Sequence, residues 1–363
     1  VSLLVVCGET SGDRMAAGVL RELGGPAFGI GGAAAEEAGL EAIAPFSDGI
    51  AMGIGDVFRA IPALIRRYRR VLRTIKERRP KAALLLDYSS FNRRLLAPLR
   101  AAGVPTIWYG APQVWAWRPE RAARFHSVTR MATLFPFESP YWERYGVPTS
   151  WVGHPAMEAP ELPRSTVEAA LALPSPRRRL LIAPGSRPGE LARHAPVFLE
   201  ASAYLLRTNA FEESVLLLPA NLPPPVAHRW TAAAIRRGVS VKQSSLPLTT
   251  VARAFDGALA ATGTATLEIA LAGVPMVAAH RSDVLTAFVA RRLLQTPYLA
   301  LPNVLLGHAR VEEVLQEQMT VSRLVDALSR TSPAAARAIA ADLRALLAPA
   351  ATPSAAVAAL CTR

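Results

Sequence analysis

Apolar runs of about five residues recur along the chain, separated by glycine- or proline-bearing turns and by longer stretches of helical periodicity. Leu3–Cys7, Phe28–Gly32, Ala82–Leu86, Pro105–Trp108 and Thr149–Val152 read as strands in the first half. Between them Arg14–Leu23, Ile61–Arg78 and Leu95–Ala102 read as helices, and Thr129–Leu134 runs into Phe135-Pro136-Phe137-Glu138. A proline-rich interval follows, and then the pattern restarts. Strands are predicted at Arg179–Ala183, Val215–Leu218, Ser240–Val241, Ala258–Ala261 and Met276–Ala278, with helices at Val197–Leu206, Ala227–Arg236, Ala265–Ala272 and Thr320–Arg330. Continuously apolar strands alternating with helices mark parallel sheets covered on both faces. The predicted class is therefore α/β, with two Rossmann-like domains facing a central cleft. Their expected bounds are residues 1–155 and 177–335, joined by a linker at 156–176 and followed by an Ala-rich segment at 336–363.

Composition narrows the picture. With 363 residues, 51% apolar and 19% charged, the chain is long enough for two cores and too apolar for disorder. Cys7 and Cys361 stand at opposite ends, so no disulfide framework or CxxC metal pattern is present, which suits a reducing compartment. Val1–Cys7 is too short for a signal core, and Gly257–Ala279 is interrupted by Glu268 and by Gly273-Val274-Pro275; both read as parts of a soluble fold. The net charge is +13, and between Arg59 and Lys81 ten basic residues face only Glu77. In that stretch Ile61, Leu64, Ile65, Tyr68, Val71, Leu72 and Ile75 recur at helical spacing, beside an upstream apolar run holding Ile50, Met52, Ile54, Val57 and Phe58. A core-facing helix with a solvated basic back explains this pattern, and so does an amphipathic surface for anionic lipid. No helix-turn-helix, RRM, KH or zinc-finger pattern supports nucleic acid as the partner.

Candidate chemistry falls where the strands end, the place where open parallel sheets bind ligands. Gly8-Glu9-Thr10-Ser11-Gly12-Asp13 follows the first strand; it reads either as a turn capped by Ser11 or Asp13, or as a site for a sugar acceptor. Asp87 ends a strongly apolar strand, where it can serve as a general base or as a cap. Trp108, Trp115 and Trp117, interleaved with Gln113 and Arg118, read as core or as a flat lining for sugars and acyl chains. In the second half, Arg187 in Pro184-Gly185-Ser186-Arg187 suits a diphosphate, and Gly263 with Thr264 opens a helix whose N–H groups can receive phosphate oxygens. Glu268 is placed to accept from a ribose hydroxyl. Of the six histidines, His154 in Gly153-His154-Pro155 is the best placed, and HExxH, GxSxG and Walker A patterns are all missing. No metal or cofactor is expected.

Taken jointly, these motifs resemble the lipid-A-disaccharide synthase family of GT-B type glycosyltransferases. The resemblance runs through Gly8–Asp13, Phe28–Gly32, Met52-Gly53, Asp87 with Phe91-Asn92, Pro112–Arg118, Phe135–Glu138, Gly153-His154-Pro155, Pro184–Arg187 with Glu190, Gly263–Glu268 and Leu301-Pro302-Asn303, over about 330 residues. It implies inverting transfer of 2,3-diacylglucosamine from UDP to the 6-hydroxyl of 2,3-diacylglucosamine 1-phosphate. It also implies Asp87 as base, helped by Glu9, with Arg187, Gly263, Thr264, Glu268 and Asn303 on the UDP-sugar side. Ser11, Asp13, Met52, Gln113, Trp115, Trp117, Arg118 and His154 are the candidates on the acceptor and lipid side. Ser89, Ser90 and His280 depart from the family's usual Pro, Asp and Tyr. The implied setting is the cytoplasmic face of the inner membrane, reached through Arg59–Lys81, with a C-terminal segment that crosses back to the first domain and can support a homodimer. The competing readings are another GT-B enzyme, such as an N-acetylglucosaminyl transferase or a UDP-sugar 2-epimerase, and a basic membrane- or nucleic-acid-binding protein without activity.

Overall fold

The computed structural model describes residues 2–46, 54–116, 119–174, 177–283 and 296–362, with backbone only for 54–60. The chain divides into two compact units, one made of Val1–Glu158 with Leu347–Arg363, the other of Ala159–Leu346. The second unit therefore begins inside the expected linker, where Arg164–Ala170 is a helix. Likewise the helix Pro333–Leu347 belongs to that unit almost to its end, and the return to the first unit starts only at Leu347.

In the first unit seven parallel strands, β1 (Leu3–Val6), β2 (Ala27–Ile30), β3 (Leu40–Ala42), β4 (Ala82–Leu86), β5 (Thr106–Tyr109), β6 (Arg130–Thr133) and β7 (Thr149–Trp151), lie in the order 3-2-1-4-5-6-7. The two faces of each central strand feed separate cores. Leu4, Val6, Ala83 and Leu85 pack with Trp108, Phe91 and Val71, while Leu3, Val5, Leu84 and Leu86 pack with Val19, Leu20 and Ile107. Each fully buried aliphatic side chain contributes about 1.5–3 kcal/mol, which explains why these strands carry no polar position. The C-terminal helix Pro353–Thr362 adds Val357, Ala358 and Cys361 to the second of these cores, and Glu158 accepts from the Ser354 backbone N–H at 2.6 Å and its hydroxyl at 2.8 Å.

The second unit repeats the design with six parallel strands, β8 (Arg179–Ala183), β9 (Glu213–Leu217), β10 (Ser240–Lys242), β11 (Gly257–Ala261), β12 (Met276–His280) and β13 (Glu312–Leu315), ordered 10-9-8-11-12-13. In both sheets the winding direction reverses once, between β1 and β4 and between β8 and β11. Loops after those strands open into the crevice where such sheets take ligands.

Helix starts differ most from the sequence expectation. The first helix spans Thr10–Leu23 rather than beginning at Arg14, because Gly12 is helical: a Cβ there would collide with the Asp87 carboxylate. The basic helix spans Ile54–Arg78 and carries Pro62 inside it, and the next spans Ser89–Ala101. Pro188–Arg207 starts nine residues before the predicted Val197, with Pro188 in the first turn, where its missing N–H costs nothing.

Candidate active site

Asp87 leaves β4 at φ 47° and Tyr88 follows at φ 41°, two left-handed residues in succession. Neither is glycine, so the bend stores strain of about 1–3 kcal/mol per residue that the surroundings must offset. Asn92, fully buried one turn into the next helix, supplies that support. Its Nδ2 group lies 3.2 Å from the Val6 carbonyl, 3.0 Å from Leu86 and 3.2 Å from Asp87, joining the ends of β1 and β4. The half-buried Asp87 carboxylate accepts from the Ser11 hydroxyl at 3.4 Å and lies against Gly12. Glu9 is the N-cap of that helix, half-buried, and Gly8 leaves the space that the Tyr88 ring fills. Asp87, Glu9 and Ser11 thus share the switch point of the first sheet.

Asp13 has a different employment from the acceptor contact expected of it. It is 4% exposed, and its oxygens accept from the backbone N–H groups of Gly32 at 2.7 Å, Ala34 at 3.1 Å and Ala35 at 3.1 Å. It therefore caps the neighbouring helix Ala33–Glu37 and fixes the loop after β2, rather than facing a ligand. His154 is likewise turned inward. Its ring stacks on Phe135 at 5.5 Å, its Nδ1 accepts from the Ala156 N–H at 3.1 Å, and burial pushes its pKa down to about 4. It is neutral at physiological pH and closes the turn after β7.

The tryptophan-rich stretch splits between two roles. Trp108 lies wholly in the core, whereas half-buried Trp115 stands edge-on to Phe137 and donates through Nε1 to Glu138 at 3.1 Å. Gln113 is exposed beside it, and Met52, Trp117 and Arg118 lie outside the described residues. Glu138 also accepts from the Leu134 and Phe135 N–H groups, at 3.0 and 3.1 Å. Burial outweighs these three donors and lifts its carboxyl to about 7.

On the second unit, Arg187 is the N-cap of Pro188–Arg207, with 59% of its side chain exposed, and Glu190 closes a capping box with it. Glu190 accepts from the Ser186 N–H at 2.9 Å, which holds the loop after β8. Gly263 and Thr264 are exposed at the start of the helix Thr264–Leu271, and Gly263 adopts φ 139°, a conformation that L side chains rarely take. Glu268 is half-buried on that helix. Arg187, Gly263 and Thr264 thus follow β8 and β11, the two strands at this sheet's switch point. Asn303 instead is fully buried, and its side chain makes four hydrogen bonds of 2.8 Å, to Arg310 N–H, Val311 N–H, the Val311 carbonyl and Glu313. It has no capacity left for a donor and acts as a brace. His194 is a brace that the sequence did not single out: Nδ1 donates to the Pro184 carbonyl at 2.9 Å while Nε2 accepts from the Arg281 N–H at 3.0 Å. Burial lowers its pKa, which favours the neutral ring that this pairing requires. Among the described residues no group of three or more His, Cys, Asp or Glu is placed to hold a metal ion.

Two doubly wound parallel units with polar loops gathered at their switch points define the GT-B fold. Solved structures share this fold: a protein from Listeria monocytogenes described as a UDP-N-acetylglucosamine 2-epimerase (TM-score 0.63, 11% identity, 99% of this chain and 94% of that one) and the calicheamicin glycosyltransferase CalG4 (0.60, 16%, 99% and 97%). At such identities they speak for the fold alone. Residues 3–344 match the lipid-A-disaccharide synthetase family, and the chain belongs to it. Relatives named lipid-A-disaccharide synthase include those of Anaeromyxobacter dehalogenans strain 2CP-C, 39% identical over 337 residues (90% of this chain, 87% of the relative), and Azotobacter vinelandii, 36% identical over 339 residues (89% and 87%).

Asn92→Ala should lower the melting temperature through loss of about 1–3 kcal/mol. At temperatures well below melting it should still cut kcat for sugar transfer about tenfold, with donor KM nearly unchanged, because Asp87 loses its register. For Glu138 the protonated form is the favoured one in the fold. Its contribution to stability is complete below its ordinary value of 4.5 and is lost as pH rises through about 7. Melting curves between pH 5 and 8 should therefore show a steeper decline for the native chain than for Glu138→Gln.

Proposed function

We propose that this chain transfers 2,3-diacylglucosamine from UDP to the 6-hydroxyl of 2,3-diacylglucosamine 1-phosphate, forming the β-1,6-linked disaccharide and UDP. The observation that carries the reading is the Asp87 carboxylate, held on a strained strand end at the switch point of the first unit, in a member of the lipid-A-disaccharide synthetase family. Asp87 accepts the proton of the attacking hydroxyl, and the hydroxyl oxygen displaces UDP from the anomeric carbon in one inverting step. Ser11 orients the carboxylate, and Glu9, the N-cap of the same helix, is the second carboxylate that follows β1. On the donor side, Arg187 and the N–H groups at the start of Thr264–Leu271 offset the charge gathering on the departing diphosphate, and Glu268 accepts from ribose. The reading invokes no metal and no cofactor.

The acceptor and donor are acylated, and the helix Ile54–Arg78 supports collection of both from a membrane. Val71 and Ile75 are buried in the core, but Ile61 and Ile65, on the same apolar row, are 40% and 44% exposed beside Arg66, Arg69 and Arg70. Exposed isoleucines flanked by arginines suit an anionic lipid surface. No described helix is long and apolar enough to cross a membrane. In this reading the enzyme works at the cytoplasmic face of the inner membrane.

Mass spectrometry after incubation with both substrates should show disaccharide 1-phosphate and UDP; hydrolysed or epimerised donor without disaccharide would overturn the assignment. Asp87→Asn should lower kcat by ~10²–10⁴-fold while donor KM stays within about twofold. In co-sedimentation with phosphatidylglycerol vesicles at low salt, combined Arg66→Gln, Arg69→Gln and Arg70→Gln should weaken binding about 100-fold, at about 1 kcal/mol for each charge. Vesicle binding that is unaffected by these changes, or that is lost to added RNA, would remove the membrane role.

A further inference from the structure

One aromatic ring ties three elements together beside Asp87. Tyr88, the next residue, is held at φ 41° and ψ 40°, a left-handed conformation that bulky side chains rarely take. Its ring lies against Gly8, just after β1, so closely that a Cβ on Gly8 would stand 2.5 Å from the Tyr88 Cγ. The ring also stacks on Phe91, with centroids 4.7 Å apart and planes 7° from parallel. Phe91 is buried and meets Tyr68 edge-on at 5.8 Å, and the Tyr68 hydroxyl donates to the Arg94 carbonyl at 3.0 Å. The Tyr88 hydroxyl in turn accepts from Arg67 Nη1 at 3.3 Å. Arg67 and Tyr68 belong to the basic helix Ile54–Arg78, where Arg66 is exposed and Arg67 half-buried. The Tyr88 side chain thus touches the loop after β1, the helix Ser89–Ala101 and the basic helix at once.

We infer that Tyr88 is a positioning residue for Asp87, and that Arg67 holds Tyr88 in that role. The inference rests on the transfer proposed above and on the base assigned there to Asp87. Asp87 and Tyr88 share one peptide plane, so a rotation of the Tyr88 backbone carries the carbonyl end of Asp87 with it. Two successive left-handed residues persist only where their surroundings over-determine them. Asn92 holds this bend from the strand side, through the carbonyls of Leu86 and Asp87. Tyr88 holds it from the helix side, through its own side chain. A ring in contact with both Gly8 and Phe91 resists rotation, because turning the backbone would pull it out of both contacts. The hydroxyl adds a direction, fixing how the ring reaches toward the basic helix. In this role Tyr88 needs no contact with either sugar; it acts on the attacking hydroxyl through Asp87.

The test uses the full chain, with kcat and both KM values measured well below melting. Tyr88→Ala should lower kcat about 30-fold while donor and acceptor KM stay within about twofold. Tyr88→Phe keeps the ring and should recover all but about threefold of that loss. Tyr88→Gly should remain as slow as Tyr88→Ala, although glycine accepts the left-handed backbone freely. In the Asp87→Asn background, Tyr88→Ala should change the residual kcat by less than about twofold, since the carboxylate it positions is already gone. Arg67 has a further interaction of its own, so its pairing with Tyr88 is read from a double-mutant cycle. Arg67→Gln combined with Tyr88→Phe should cost about threefold less than the product of the two single losses. Melting temperatures identify a variant that merely misfolds, and Tyr88→Leu replaces Tyr88→Ala if the latter does not fold. Native kcat in the folded Ala or Leu variant, native kcat in Tyr88→Gly, or a full further loss in the Asp87→Asn background would overturn the positioning role. Simple multiplication of losses in the cycle would remove Arg67 from it. Crystal structures of the native and Tyr88→Ala chains separate this inference from the transfer reading. If the native chain makes no disaccharide, the transfer reading falls. The positioning role then stands if Asp87 in the variant leaves its left-handed backbone and its contact with Ser11, and falls if Asp87 keeps both.

Discussion

Asn92 holds the ends of β1 and β4 together at the point where the first sheet reverses its winding, and the geometry of the candidate site follows from that contact. A parallel sheet leaves the last carbonyls of its two central strands pointing into the opening between them, where no further strand can satisfy them. One buried amide bridges the carbonyls of Val6, Leu86 and Asp87, so the two strand ends move as one body. Without that tie, consecutive left-handed residues at Asp87 and Tyr88 would relax toward ordinary turns, and the carboxylate would leave the start of the first helix. The strain is thus stored where a reacting group must be aimed, and the support comes from a residue that itself touches no solvent.

The second unit solves the same problem with different residues. Its strand ends are joined through His194 on the helix Pro188–Arg207, which links the Pro184 carbonyl after β8 to the Arg281 N–H after β12. Glu190 then fixes Ser186 and Arg187, and Asn303 with Glu313 braces the segment before β13. In each unit these buried polar side chains are spent on backbone groups that loops would otherwise leave unsatisfied. That division leaves exposed Arg187, Gly263 and Thr264 at helix starts whose loops are already held by other residues.

Most strands were legible because buried parallel strands must be apolar on both faces, which writes Leu3–Val6, Ala82–Leu86 and Leu180–Ala183 into the sequence as uninterrupted runs, whereas the edge strands Leu40–Ala42 and Glu312–Leu315 carry no such run and were missed. Helix starts were less so. Gly12, Pro62 and Pro188 carry the signature of loops, yet each lies in a helix, one because a carboxylate needs the room and one because a first turn tolerates proline. Side-chain roles were the least legible. Asp13, His154 and Asn303 have the chemistry of ligand contacts, and their residue types do not reveal that three backbone amides, a turn amide and a loop had already claimed them. Conversely Asn92, Glu138 and His194 look like ordinary polar residues on helices, and only burial shows what they hold.

Net charge shows the same separation between residue type and role. The excess of basic residues is spread over sites with different physics. Arg179 is completely buried between Glu168 and Glu213, where it ties the edge of β8 to its neighbours and contributes nothing to the exterior field. Arg66, Arg69 and Arg70 are exposed beside two bare isoleucines, where charge acts over a Debye length and is screened by salt. A sum of +13 cannot tell these apart, but burial and local charge balance can. The first arrangement is structural and the second is suited to a broad anionic surface.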